Sequence, residues 1–328
     1  MANEFTTLLD LAKLKGVDTT EGVLELGQKI APEIAAIPGR TIAGREFSLP
    51  VRTGRPKAGW RRTNEGTETG KSDYDFYNVS CFIASMQLEV DARVADVHPF
   101  GRETFLAEEM DGGTRTLFEN ISSQVYYGDQ ANDKSFMGYE QFLKDPDGTI
   151  LDSLVVDAGG TGANLTSVYL VNVGGPHGVK FVFGGNGSFN DQEAWEKTKL
   201  KDSSGNKYDG YENGLEFWIG LQLAPNSVVR IANVDVGEAA TTNQLTDQLI
   251  AKAIQRFPRG FAPTHIFANK EARFSLQTTR SAVTQNSNSR IEGSPGSEGG
   301  HWAPQPSDSS GLPIVETDGL LVGEAEAS

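Results

Sequence analysis

The sequence predicts an α+β protein that carries a long β-hairpin arm, and three stretches predict it. A basic segment over residues 45–71 runs into FIASMQLEVD, residues 82–91, where apolar and polar side chains alternate strictly. That alternation marks a half-buried strand. A helical repeat follows, with Leu106, Met110, Leu117, Ile121 and Val125 recurring at close to helical spacing over about residues 102–127. From about residue 139 to residue 290, strand and helix patterns interleave.

Residues 6–15 read as a short helix with Leu8, Leu9, Leu11 and Ala12 on one broad face. A second helix starts at the hydroxyl cap Thr19-Thr20 and runs to Ile30, where Pro32 ends or kinks it. Residues 48–53 and 57–62 read as short strands around Gly54-Arg55-Pro56, with 63–72 as a polar tip. Tyr74, Phe76, Tyr77 and Val79 lead back toward the alternating strand. Inside the long helix, Gly112-Gly113 costs about 1 kcal/mol per glycine relative to alanine, so a bend is expected there. Further strands are read at 167–173, 179–183, 215–221, 228–231 and 264–268, and residues 201–210 read as a polar loop. Residues 242–257 form the strongest helical pattern and Pro258 stops it; another helix covers 270–282. A Gly/Ser/Pro-rich loop over 287–310 precedes a last strand at 312–321 and a frayed acidic tail.

At 328 residues the chain is long enough for about two domains of roughly 150 residues. No apolar run approaches the ~18 residues of a membrane span, and the first residues lack the pattern of a secretory signal. A single cysteine, Cys81, allows no internal disulfide and fits a reducing compartment. The net charge of −15 argues against tight wrapping of nucleic acid, whose phosphates need neutralising cations. Against that acidic background the arm stands out. Arg45, Arg52, Arg55, Lys57, Arg61, Arg62 and Lys71 face only Glu46, Glu65 and Glu68, a local net charge of +4 that leaves −19 on the remainder.

The arm has too little apolar content to bury itself, and Trp60 sits between Ala58-Gly59 and Arg61-Arg62 as interface aromatics do. The simplest reading is contact with another copy of the chain through Arg52, Arg55, Lys57, Trp60, Arg61, Arg62 and Lys71. Nucleic-acid contact and a plain solvated loop are the rival readings.

Candidate chemistry elsewhere is weak. The glycine runs at 159–162 and 184–187 lack the GxxxxGK[ST] pattern and read as turns. The four histidines, His98, His177, His265 and His301, show no ligand spacing. The turn Asp145-Pro146-Asp147-Gly148 begins like a calcium loop but has no acidic closing residue. No nucleophile elbow occurs, and Cys81 reads as a small buried side chain. Neither a catalytic residue, a cofactor site nor a metal site is expected.

The order of segments resembles a known family. VRTGRPKAGWRRTNEG, LFENISSQVYYGD, SVYLVNVGGPHGVKFVF, VVRIANVD and GLPIVETD occur in the sequence of motifs seen in the major capsid proteins of tailed double-stranded-DNA bacteriophages, the Hong Kong 97-like fold. The branch it is most similar to occurs in short-tailed phages. The resemblance implies an N-terminal arm at 1–44, an extended loop at 45–81 and a peripheral domain with a spine helix at 82–138. It further implies an axial α/β domain at 139–290, then a loop and returning peripheral strand at 291–328. It implies an icosahedral virion shell of hexamers and pentamers, assembled in the host cytoplasm around DNA that is not read by sequence. A separate scaffolding protein, a portal and a decoration protein are the implied partners, without a membrane. Some relatives cross-link a loop lysine to a neighbour's asparagine. Lys57 and Lys71 are available, but no catalytic glutamate or acceptor asparagine is evident, so non-covalent contacts are expected. An encapsulin-type compartment and, further off, a small-molecule α/β enzyme built on 139–290 are the alternatives.

Overall fold

The computed structural model describes residues 30–131, 134–144, 153–187, 189–191, 195–237, 242–284 and 305–327. In chain order its elements are α1 (Pro32–Ala36), β1 (Gly39–Thr41), β2 (Glu46–Gly54), β3 (Asp73–Ser80), β4 (Phe82–Asp91), α2 (Ala92–Val97) and α3 (Arg102–Tyr127). They continue with α4 (Tyr139–Phe142), β5 (Val155–Asp157), β6 (Leu165–Val171), β7 (Lys180–Phe183), β8 (Phe189–Asp191), β9 (Glu196–Lys201) and β10 (Lys207–Gln222). Then come β11 (Val228–Asp235), α5 (Asp247–Arg256), β12 (His265–Ala268), α6 (Lys270–Thr284), β13 (Asp308–Ser309) and β14 (Leu312–Glu316).

One sheet has the order β1-β7-β10-β4, with β8 and β9 also paired to β10. The second has the order β13-β14-β12-β6-β11-β5, and β2 with β3 forms a separate ribbon. In the second sheet β6 is buried along its whole length and β11 almost so, as strands covered on both faces must be. The largest core cluster joins α3, through Leu117, Phe118, Ile121 and Val125, to β6, β11, β12 and α5.

Strand β4 behaves as its alternation predicts, since Phe82, Ala84, Met86 and Leu88 are half-buried and Ile83, Ser85, Gln87 and Glu89 are exposed. The inward set faces α3. The long helix is one continuous element of 26 residues that runs through Gly112-Gly113. Tertiary packing explains the glycine. A Cβ at Gly113 would stand 2.5 Å from Met86 Sδ and 3.1 Å from the Leu88 methyls, whereas one at Gly112 meets nothing within 4 Å. Gly113 lets the helix lie on the sheet; Gly112 only costs helix propensity.

Other readings change for equally local reasons. Residues 57–62 are not a strand, because β2 continues to Gly54 and pairs with β3, leaving 55–72 as the connection. Pro56 has no amide hydrogen to give a ladder there. The supposed polar loop at 201–210 is a hairpin turn between β9 and β10. Asp202 closes it by accepting from the Ser204 and Asn206 amides at 2.9 and 2.8 Å, with Gly205 at φ 84°. Helix α5 starts at Asp247 rather than 242, because the Thr246 hydroxyl caps it by accepting from the Leu249 amide at 3.2 Å. The last strand is shorter than expected, and β14 pairs in parallel with β12. The chain after it reaches α3, where Gly319 packs against Ser122 and the Tyr127 hydroxyl accepts from the Leu321 amide and donates to the Glu324 carboxylate. The tail is not frayed. The Glu324 carboxylate lies buried 3.0 Å from the Arg230 guanidinium, and the Asn233 side-chain amide donates to the Ala327 carbonyl and accepts from the Ala327 N–H. The helices read before residue 30, the turn at 145–148 and most of the loop at 287–310 lie outside the described residues.

A buried carboxylate ties α1 and the turn after β14 to α3. Pro32 opens α1 at its first turn, where a missing amide hydrogen costs nothing. Glu33 next to it is fully buried, and its Oε1 accepts from the Tyr126 hydroxyl at 2.7 Å, the Ser122 hydroxyl at 3.1 Å and the Thr317 hydroxyl. Its Oε2 has no partner among the described residues. Burial raises the Glu33 pKa above the ordinary carboxylate value.

Two expectations follow from this packing. Gly112→Ala should stabilise the subunit by about 1 kcal/mol through helix propensity, while Gly113→Ala should be the less stable of the pair, since overpacking costs about 1–3 kcal/mol. Thermal melts of the two variants measure the difference, and equal melts would dismiss the close approach as the reason for Gly113. The raised Glu33 pKa means that the folded chain holds this proton more tightly than the unfolded chain. Its contribution is therefore full below the unfolded value of about 4.3 and is lost as pH rises through the folded value. Relative to Glu33→Gln, the wild type should lose stability as pH rises from about 4 toward neutrality. Urea melts of both proteins across that range test it, parallel curves being the contrary outcome.

Candidate inter-subunit arm

Strands β2 and β3 pair from Glu46↔Ser80 to Gly54↔Asp73, with a register shift between Arg52 and Gly54. Only the root of this ribbon is buried. Phe47, Val79 and Cys81 pack with Ile42, Val182 and Trp218 in a small satellite core. Burial pushes the Cys81 thiol up to about 11, which leaves it unsuited to nucleophilic chemistry.

Beyond the root the arm stands free. Along one face Arg52 pairs with Tyr74 and Pro50 with Phe76, and both aromatics are largely exposed. Arg52 Nη2 donates to the Tyr74 hydroxyl at 3.0 Å and lies 5.5 Å from the ring centroid, holding that phenol below its ordinary pKa. The tip is closed by local contacts. Lys57 Nζ lies 3.4 Å from Glu68, Arg61 donates to the Glu65 carbonyl at 3.1 Å, and the Arg62 amide donates to the Glu65 carboxylate at 3.2 Å. Gly70 sits so near Lys57 that a Cβ would stand 2.5 Å from its amide nitrogen. Lys71 lies 3.7 Å from Asp73.

All seven residues read from the sequence therefore lie on one projection, Arg52 on β2 and the rest in the connection over 55–72. Trp60 is fully exposed, and the side chains of Arg55 and Arg62 make no hydrogen bond or ion pair among the described residues. Among the described residues no hydrogen bond or ion pair joins 55–72 to the body. The sequence reading passed over Tyr74 and Phe76, although YDFY carries the period-two signal that would have placed both on one face. Among the described residues no group of three His, Cys, Asp or Glu could hold a metal ion, and no helix is long and apolar enough to cross a membrane.

The family model of the major capsid protein GP7 matches residues 24–328. The chain belongs to that family. No curated protein matches the sequence. Among solved structures it is similar to one from bacteriophage Epsilon15, at 19% identity and a TM-score of 0.63 over 88% of this chain and 87% of that one. Weaker likenesses include the procapsid of bacteriophage JBD30, at 9% identity and TM-score 0.42 over 94% and 99% of the two chains. An encapsulin of Synechococcus elongatus gives 10% identity and TM-score 0.43 over 63% and 89%. The fold is thus the Hong Kong 97-like α+β fold of phage capsid proteins, and the chain is a shell-forming structural protein.

Proposed function

We propose that this major capsid protein assembles into hexamers and pentamers of an icosahedral shell around phage DNA, each subunit laying its basic arm across a neighbour. The observation that carries this reading is the arm itself, a ribbon with exposed Trp60, Tyr74 and Phe76 and, among the described residues, no hydrogen bond or ion pair from its tip to its own body. Ordering a segment costs about 1–2 kcal/mol per residue, and a second copy supplies the contacts that offset this cost. The contact surface is Arg52, Arg55, Lys57, Trp60, Arg61, Arg62 and Lys71. In this reading 1–44 is an N-terminal arm, 45–81 the extended loop, 82–138 the peripheral domain, 139–290 the axial domain and 291–328 the return. Assembly takes place in the host cytoplasm with a separate scaffolding protein and a portal.

Hydrogen exchange on isolated subunits and on shells tests the arm. Residues 50–71 should exchange freely in subunits and be protected in shells; equal protection in both would sink the reading. Arg61→Glu with Arg62→Glu should leave subunit melting within about 0.5 kcal/mol of wild type, as surface changes do, yet block or slow assembly. The wild-type contact should weaken with salt, because exposed charges are screened. Trp60→Ala should impair assembly at every salt concentration, since its loss is apolar. Light scattering with circular dichroism separates these outcomes, and normal shells from the double glutamate variant would show the cluster to be merely solvated.

A further inference from the structure

The exposed face of α5 is cationic in a chain whose net charge is −15. The helix buries Ile250 and Ala253 against β11 and β5 and turns Gln248, Lys252, Gln255 and Arg256 outward. Directly beyond it the chain closes a turn, in which the Phe261 amide donates to the Pro258 carbonyl at 3.0 Å. Gly260 takes the φ of 96° that such a turn needs at its third residue, which leaves Arg259 exposed at the corner.

Among the described residues the side chains of Lys252, Arg256 and Arg259 make no hydrogen bond or ion pair. The only carboxylate of α5, Asp247, is already taken. Arg280 donates to both its oxygens, at 2.6 and 2.8 Å, and the Ser309 hydroxyl donates to it at 2.6 Å. Like charges four residues apart, as Lys252 and Arg256 are, cost a helix about 0.2–0.5 kcal/mol. The helix dipole accounts for Arg256, which lies in the last turn, but not for the other two. An anion arriving from outside removes the repulsion.

The surroundings select the kind of anion. The arm mixes its cations with exposed Trp60, Tyr74 and Phe76. The face of α5 carries no exposed aromatic or large apolar side chain, only Gln248, Ala251 and Gln255 around its cations. Protein interfaces are anchored by aromatic and apolar groups, whereas a phosphate backbone is held by cations and neutral donors. The lysines of β9 make a second basic row, but Asp209 holds Lys199 at 2.5 Å, and Glu196 and Asp202 flank the row at its two ends.

We propose that the outer face of α5, with Arg259 beyond it, is where the wall of the shell meets the sugar-phosphate backbone of the enclosed DNA. Contacts of this kind read no sequence, and three cations per subunit suit a loose contact repeated over the wall. This rests on the reading that the shell encloses DNA, and it names the surface that faces it.

The test is acetylation of Lys252 in shells with and without DNA. Lys252 should react severalfold more slowly in DNA-filled shells than in shells emptied of DNA. Lys252→Gln with Arg256→Gln and Arg259→Gln should keep the circular dichroism and the shell yield of wild type. Slow acetylation in both kinds of shell would assign the face to a neighbouring copy, and rapid acetylation in both would leave it solvated. Either result overturns the proposal while the shell reading stands, as does a fall in shell yield from the folded triple variant. Because the acetylation is read on the unaltered chain, it decides the matter even where the triple variant misfolds. Failure to obtain DNA-filled shells from the wild type would remove the shell reading together with this one.

Discussion

The ten-residue antiparallel ladder between β4 and β10 is the constraint on which the rest of the molecule depends. It fixes which side chains of β4 face α3, and a slip of one residue would turn Met86 and Leu88 out to solvent and bring Gln87 and Glu89 in. It also aims the arm, because β3 enters β4 after the single residue Cys81, whose amide donates to the Arg45 carbonyl at 2.8 Å. Root and body thus move together. On the side opposite β4, β10 holds β7, β8 and β9 in turn, so one strand organises most of this sheet.

Both α1 and the segment after β14 are held by buried polar groups, which is an expensive way to hold anything. Glu33 has three hydroxyl donors and no cation, and Arg230 is buried against Glu324 and Glu140, at 3.0 and 3.5 Å. Buried ion pairs are weak sources of net stability, since desolvation consumes much of the attraction. Their effect is to specify position. An apolar residue at 33 would accept many neighbours, whereas a carboxylate that must find Ser122, Tyr126 and Thr317 accepts one arrangement. The same holds at the tail, where the Ser167 hydroxyl and Arg230 converge on Glu324.

What the sequence made legible is what depends on local pattern. The alternation in β4, the extent of α3, the helix read at 242–257 (though not its start at Asp247) and the basic arm all came from periodicity and charge. What it hid depends on distant partners. Nothing around Gly113 announces that Met86 lies on it, and nothing in EAEAS shows that the tail beside it is threaded along Asn233 and Arg230. Polar strands were missed for a related reason. EKTKLK and the start of β10 look like loop because their lysines are exposed, yet Leu200 is buried and the Asp202 turn sets their pairing. The pairing of Glu89 with Glu212 was illegible for the same reason, since the two are 123 positions apart and meet only through the ladder.

The two ends of the arm follow opposite physical rules. At the root, Phe47, Val79 and Cys81 are packed against Val182 and Trp218, so its direction is set by a core. At the tip, exposed ion pairs such as Lys57–Glu68 contribute about 0–1 kcal/mol each, too little to fix a conformation against the entropy of 55–72. On the proposed reading, a projection built this way would reach a neighbour in a defined direction and settle its details only on contact. If each such contact is weak and charge-assisted, as proposed, a misplaced subunit could detach, whereas the many repeats of a closed shell would sum to a durable assembly. Selection of correct geometry then comes from reversibility at each contact and from number overall, which suits a shell built from one repeated chain.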